Sequence, residues 1–299
     1  MTNRRDFLTS AGLGAVALAT PISWSTGVAA QEMLPKRPIP GTSDSLPIVG
    51  LGNSRVFAEK DLEASRELIE IFRSRGGSYI DCIYDLRFTA AEAVGSLGAA
   101  NDIFLGTYCM EEDEADMRAN IQRILELSGK EQLDLVHAWP EFAVPNWNTL
   151  RKLKDEGLTK YIGISRQNKS HYDAMMKVME TGTVDVVQVN YSALEREADE
   201  RILPMAIDNG IAVTVNRPFL NGDYFGLVGG HELPAWAADF DCESWAQFSL
   251  KYILSHPAVT CAITETSNPE HAIDNIGAGF GAMPDESTRE RMVTHLQSL

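Results

Sequence analysis

Basic charge is scarce in this chain: 26 Lys and Arg face 42 Asp and Glu over 299 residues, a formal charge of −16. That leaves no basic surface on which nucleic acid or an anionic membrane would settle, and it points to small molecules or proteins as partners. Cysteine is scarce too. Cys82, Cys109, Cys242 and Cys261 show no CxxC spacing and are too few for a disulfide scaffold, so their pattern supports buried apolar packing. His171, His231, His256 and His295 lack metal-ligand spacing, and no metal is expected. No apolar run is long enough to span a bilayer as a helix of the mature protein, so an integral membrane protein is not expected.

The N-terminal segment reads as an address rather than as part of the fold. Asn3-Arg4-Arg5-Asp6-Phe7-Leu8 matches the twin-arginine export pattern, the weakly apolar run 11–22 follows it, and small residues at Val28 and Ala30 suit cleavage before Gln31. Residues 1–30 are therefore expected to be a signal peptide recognised by the twin-arginine export machinery, with the mature protein periplasmic or otherwise outside the cytoplasm. Residues 31–45, rich in proline and without periodicity, read as an extended lead-in.

From residue 46 to residue 299 short β-branched runs alternate with longer segments of helical period, and no linker divides them. Strands are predicted at 47–51, 79–82, 103–109, 133–138, 161–165, 184–190, 212–216 and 259–263. Between them, 61–75, 113–127, 146–156, 171–180, 197–209 and 244–254 carry apolar residues at i, i+3, i+4 and i+7. Gly129 and Gly210 stand just past helical patterns, where a left-handed C-cap needs no side chain. Eight βα units in about 250 residues predict an α/β fold closed as a (β/α)8 TIM barrel, with its chemistry at the C-terminal strand ends. The long stretch 220–236 after the seventh strand is expected to cover that site. Strand alternation turns Cys82 and Cys109 outward under helices; a disulfide or soft-metal pair is the weaker reading of the two.

Five separated segments then carry a family likeness: Gly-Leu-Thr-Lys-Tyr-Ile-Gly-Ile-Ser (157–165), Val-Asp-Val-Val-Gln-Val-Asn-Tyr-Ser (184–192), Glu-Arg-Glu-Ala (195–198), Val-Asn-Arg-Pro-Phe (215–219) and Thr-Ser-Asn-Pro-Glu-His (266–271). In order and spacing they resemble an exported branch of the aldo-keto reductases. The resemblance implies reduction of a small carbonyl compound with NADPH, using an Asp, a Tyr, a Lys and a His. The tyrosine protonates the alkoxide that hydride addition creates, the lysine lowers its pKa, and the aspartate holds the lysine.

Asp81 matches the family aspartate, but Leu86 stands at the tyrosine position, Tyr108 at the lysine position and Trp139 at the histidine position. Tyr84 and His137 each lie two residues early, on the same strand face but about 6–7 Å lower. Asp81, Tyr84, Tyr108 and His137 are accordingly the catalytic candidates. For NADPH the resemblance assigns Ser165 and Gln188 to the nicotinamide amide and places Arg217 where an aromatic ring usually stacks. It puts Thr266, Ser267, His271 and Asn275 around the adenosine 2′-phosphate and adenine, where the carboxylate of Glu265 would oppose a phosphate. Two readings stay open: an oxidoreductase with a rebuilt site, and a non-catalytic barrel that binds a small molecule or a partner.

Overall fold

The computed structural model describes residues 33–299; the expected signal peptide, residues 1–30, lies outside the described residues. Eight parallel strands close into a barrel: β3 (Val49–Leu51), β4 (Tyr79–Asp81), β5 (Phe104–Tyr108), β6 (Leu133–Ala138), β7 (Thr159–Arg166), β8 (Val186–Asn190), β9 (Ala212–Asn216) and β10 (Val259–Thr264), with β10 pairing both β9 and β3. Each expected strand is present. Alternation sorts the side chains. Ile80, Val136, Ile162, Ile164, Val187 and Val213 face outward into a large core shared with the helices, while Tyr79, Leu135, Tyr161, Val186, Ala212 and Cys261 fill the interior.

The barrel floor is closed by the segment expected as a lead-in. Lys36–Pro38 (β1) pairs antiparallel with Ser45–Pro47 (β2), and Ile39 and Leu46 from this hairpin join the interior cluster. Its prolines are tolerated because the two-stranded ribbon has open edges. The Arg37 guanidinium donates to the carbonyls of Val259 and Leu254. Tyr161 donates to Asp44 at 2.9 Å, which fastens the hairpin to β7.

Helices α2 (Leu62–Ser74) and α4 (Glu114–Ser128) begin at Asp61 and Asp113, whose side chains accept from backbone N–H groups of the first turn. Gly129 and Gly210 adopt the expected left-handed caps, with φ of 73° and 63°. Three elements differ from expectation. Helix α5 (Pro140–Asp155) starts at Pro140, which suits a first helical position because it has no N–H to satisfy. The segment 197–209 divides into a 3-10 turn, Glu197–Glu200, and α7 (Ile202–Asn209), so that Pro204 falls in a first turn rather than in a helix interior. Helix α3 (Leu86–Ser96) has little amphipathic period because it is buried on several sides, with Arg87, Thr89, Ala90, Ala91, Ala93 and Val94 enclosed.

The remaining helices are α1 (Arg55–Ala58), α6 (Tyr172–Met179), α8 (Asp223–Val228), α9 (Trp245–Leu254), α10 (Pro269–Gly277) and α11 (Glu286–Leu296). Cys82 and Cys109 lie in the outer core as free thiols and do not pair, and Cys242 and Cys261 are likewise buried and free. Among the described residues no helix is long and apolar enough to cross a membrane, and no group of three or more His, Cys, Asp or Glu is placed to hold a metal ion.

Candidate functional site at the barrel mouth

A cavity of about 380 Å³ opens at the C-terminal strand ends, with Asp81, Tyr108, Ser165, Gln188 and Asn216 at its floor. The parallel register puts these residues in reach of one another: Ser165 is opposite Gln188, and Gln188 is opposite Thr214, two residues before Asn216 on the same strand face. Two glycines make room for the polar groups inside the barrel. A Cβ on Gly106 would lie 2.7 Å from Asp81 Oδ1, and one on Gly163 would lie 2.4 Å from His137 Nδ1.

Gln188 is the hub of the network. Its Nε2 donates to Asp81 Oδ2 at 2.6 Å, and its Oε1 accepts from Ser165 Oγ at 3.0 Å, from Asn216 Nδ2 at 3.3 Å and from the Tyr108 hydroxyl. The same hydroxyl lies 3.1 Å from Asp81 Oδ2. One phenolic proton cannot serve both acceptors at once. It passes between Asp81 Oδ2 and Gln188 Oε1, either of which can accept it from the Tyr108 hydroxyl. Burial pushes the Asp81 carboxyl up to about 6, against the pull of Gln188 and Tyr108 on its charged form. Burial and then the Asp81 charge hold the Tyr108 phenol well above its ordinary range.

The other two catalytic candidates stand apart from this network. Tyr84 lines the cavity but is 54% exposed, with its ring edge-on to Trp139 at 6.3 Å. His137 is fully buried beneath Tyr108, the ring centroids 5.1 Å apart, and neither of its ring nitrogens has a hydrogen-bond partner among the described residues. Burial alone drives its imidazole down to about 3, so it is neutral. The Arg87 guanidinium donates to the Tyr108 carbonyl and to Glu111 rather than toward the cavity. Among the described residues Arg217 is the only cation lining the mouth.

The residues assigned to the cofactor are spread over two chambers. Ser165, Gln188 and Arg217 line the mouth, whereas Thr266, His271 and Asn275 line an adjoining cavity of about 290 Å³ with Phe225 and Trp245. Ser267 is exposed and lines neither chamber. Glu265 borders both, its carboxyl pushed up by desolvation. Asp274 adds a second carboxylate to the adjoining chamber, held by Ser244 at 2.7 Å and Gln247 at 2.8 Å, and among the described residues His271 is the only basic side chain lining it. Sequence reasoning missed Asn53, Gln167, Asn216 and Asn221, all of which line the mouth. The available signal was position at a strand's C-terminal end, Asn216 closing β9 and Gln167 following β7.

A closed eight-stranded parallel barrel whose titratable and amide side chains gather at the C-terminal strand ends defines a TIM-barrel protein with a mouth site. Residues 49–290 match the model of the aldo/keto reductase family, and the chain belongs to that family of oxidoreductases. It is 25% identical over 248 residues to an aldo-keto reductase of Mycolicibacterium vanbaalenii, covering 78% of this chain and 82% of that one. A shorter stretch of 134 residues, 42% of this chain and 39% of the relative's length, is 29% identical to an Escherichia coli NADH-specific methylglyoxal reductase. The fold is shared with a Klebsiella pneumoniae aldo-keto reductase solved in complex with NADPH, at a TM-score of 0.71 and 20% identity over 88% of this chain and 95% of that one.

Proposed function

We propose that this chain is an exported member of the family that binds a small polar molecule in its barrel mouth and does not perform NADPH-dependent carbonyl reduction at the family's rate. The observation that carries this reading is the closed triangle of Asp81, Tyr108 and Gln188 at the place the resemblance gives to a lysine. Carbonyl reduction needs a proton donor that gives up its proton readily near neutral pH. Tyr108 is held well above the ordinary phenol range, and among the described residues no lysine lines the cavity beside it.

The nicotinamide cofactor fares no better. Ser165 and Gln188 are hydrogen-bonded to each other, and Gln188 is satisfied at both ends of its amide. In the chamber the resemblance gives to adenosine, Glu265 and Asp274 are carboxylates, and among the described residues no lysine or arginine lines it to neutralise a 2′-phosphate. These residues do not fit NADPH well, and weak binding is expected. A second reading, an oxidoreductase with a rebuilt proton donor, is favoured by the carboxyl of Asp81, which titrates near 6.

Fluorescence titration of the folded chain with NADPH and NADH, followed by turnover of methylglyoxal, separates the two. The proposed function predicts weak NADPH binding and a rate at least about 10²-fold below that of an intact acid–base site. Micromolar NADPH affinity with ordinary turnover would overturn it, and loss of that turnover in Asp81→Asn would assign the proton donor.

A further inference from the structure

We infer that the mouth binds a small polyhydroxylated monocarboxylate, of the sugar-acid class, with its carboxylate on the guanidinium of Arg217. This inference rests on the small-molecule function proposed above and deepens it.

Arg217 follows the last residue of β9 and lines both the mouth cavity and a neighbouring cavity of about 380 Å³ that also contains Asn190, Glu195 and Lys169. It is half-buried, yet its guanidinium makes no hydrogen bond or ion pair among the described residues. The other cations around the rim are occupied: Arg166 by Glu141 at 2.6 Å, Lys169 by Glu197 at 2.9 Å and Arg87 by Glu111 at 3.0 Å. A guanidinium offers five donors in a planar fork that matches a carboxylate. Leaving it partly desolvated without a partner is costly unless a ligand supplies the anion.

The backbone gives an independent pointer. Arg217 adopts a left-handed φ of 50°, as do two other cavity-lining residues, Tyr84 at 53° and Asn221 at 57°. Of the six described non-glycine residues with positive φ, these three surround one cavity. Strain of this kind is kept where a site has to be held in shape.

The rest of the lining selects the ligand. The Arg217 guanidinium, free of hydrogen bonds among the described residues, is partly offset through space by the carboxylate of Glu265, a balance that suits one added negative charge better than a phosphate dianion. The buried Oδ1 of Asn216 has no hydrogen-bond partner among the described residues, and the side-chain amides of Gln167, partly buried, and Asn221, exposed, also line the cavity. They are donors and acceptors of the kind that hydroxyl groups satisfy. Trp139 and Tyr84 supply aromatic surface for the C–H side of such a molecule.

The test is isothermal titration of the folded chain with D-gluconate, with D-sorbitol, which keeps the hydroxylated six-carbon chain but lacks the carboxylate, and with inorganic phosphate. Gluconate is expected to bind at least tenfold more tightly than either of the others. Arg217→Asn, which removes the guanidinium but keeps a residue at ease in the left-handed region, is expected to lose at least tenfold in gluconate affinity with its melting temperature unchanged. Equal binding of sorbitol, tighter binding of phosphate, an unaltered Arg217→Asn variant, or no gluconate binding at millimolar concentration would each overturn the inference. Failure here leaves the proposed function standing, whereas NADPH-dependent turnover would remove that function and leave the gluconate result to be judged on Arg217 alone.

Discussion

Asp81 and His137 are buried titratable groups whose shifts act on stability in opposite directions. The folded pKa of Asp81, about 6, lies above the unfolded value of about 3.9, so its contribution is fully present below about pH 4 and is lost as pH rises through 6. His137 is lowered to about 3, so its contribution is present above the unfolded pKa of about 6.5 and is lost as pH falls toward 3. Over the window they share, the two slopes largely cancel in the wild type. Single substitutions should expose them. Relative to wild type, Asp81→Asn is expected to gain about 2 kcal/mol of stability between pH 4 and pH 7, and His137→Leu to gain a similar amount between pH 7 and pH 4.5. Urea unfolding at these pH values checks both, and parallel profiles for the three proteins would show that neither group is shifted as described.

At the scale of elements, the N-terminal hairpin has more structural weight than its composition suggests. Arg37 reaches across β1 to the carbonyls of Leu254 and Val259, and Ile39, 1% exposed, plugs the floor of the barrel. Ile39→Ala is expected to cost about 2–5 kcal/mol by leaving a cavity, and Arg37→Ala about 1–3 kcal/mol by orphaning two carbonyls. Chemical denaturation reads both, and values near zero would mean that the hairpin is an ornament on a barrel closed without it. The proline-rich composition of this segment hid its pairing, because a two-stranded ribbon with open edges tolerates prolines that a central strand would not. Helix α3 was hidden for a different reason: apolar and small residues enclose it on several sides, so no amphipathic period marks it.

For the molecule as a whole, an acidic barrel and a proposed export address belong to separate parts of one chain. If the Arg4-Arg5 pair directs export, replacing both with Lys should hold the precursor in the cytoplasm, and cell fractionation would show it there; continued appearance of the mature form outside would sink the proposal. The sequence by itself determined the barrel, because eight β-branched runs alternating with amphipathic helices leave few ways to bury every apolar face. The expectation that residues 86, 108 and 139 depart from the family's pattern rests on the resemblance read in the sequence. Tertiary structure alone decided what these side chains touch. Tyr108 and Gln188 are 80 positions apart, and Asp81 and Gln188 are 107 apart; only strand register brings the three into one hydrogen-bonded triangle. It alone showed that, among the described residues, His137 sits beneath that triangle without a hydrogen-bond partner and the Arg217 guanidinium makes no hydrogen bond, because such contacts depend on which side chains converge in space and not on their order along the chain.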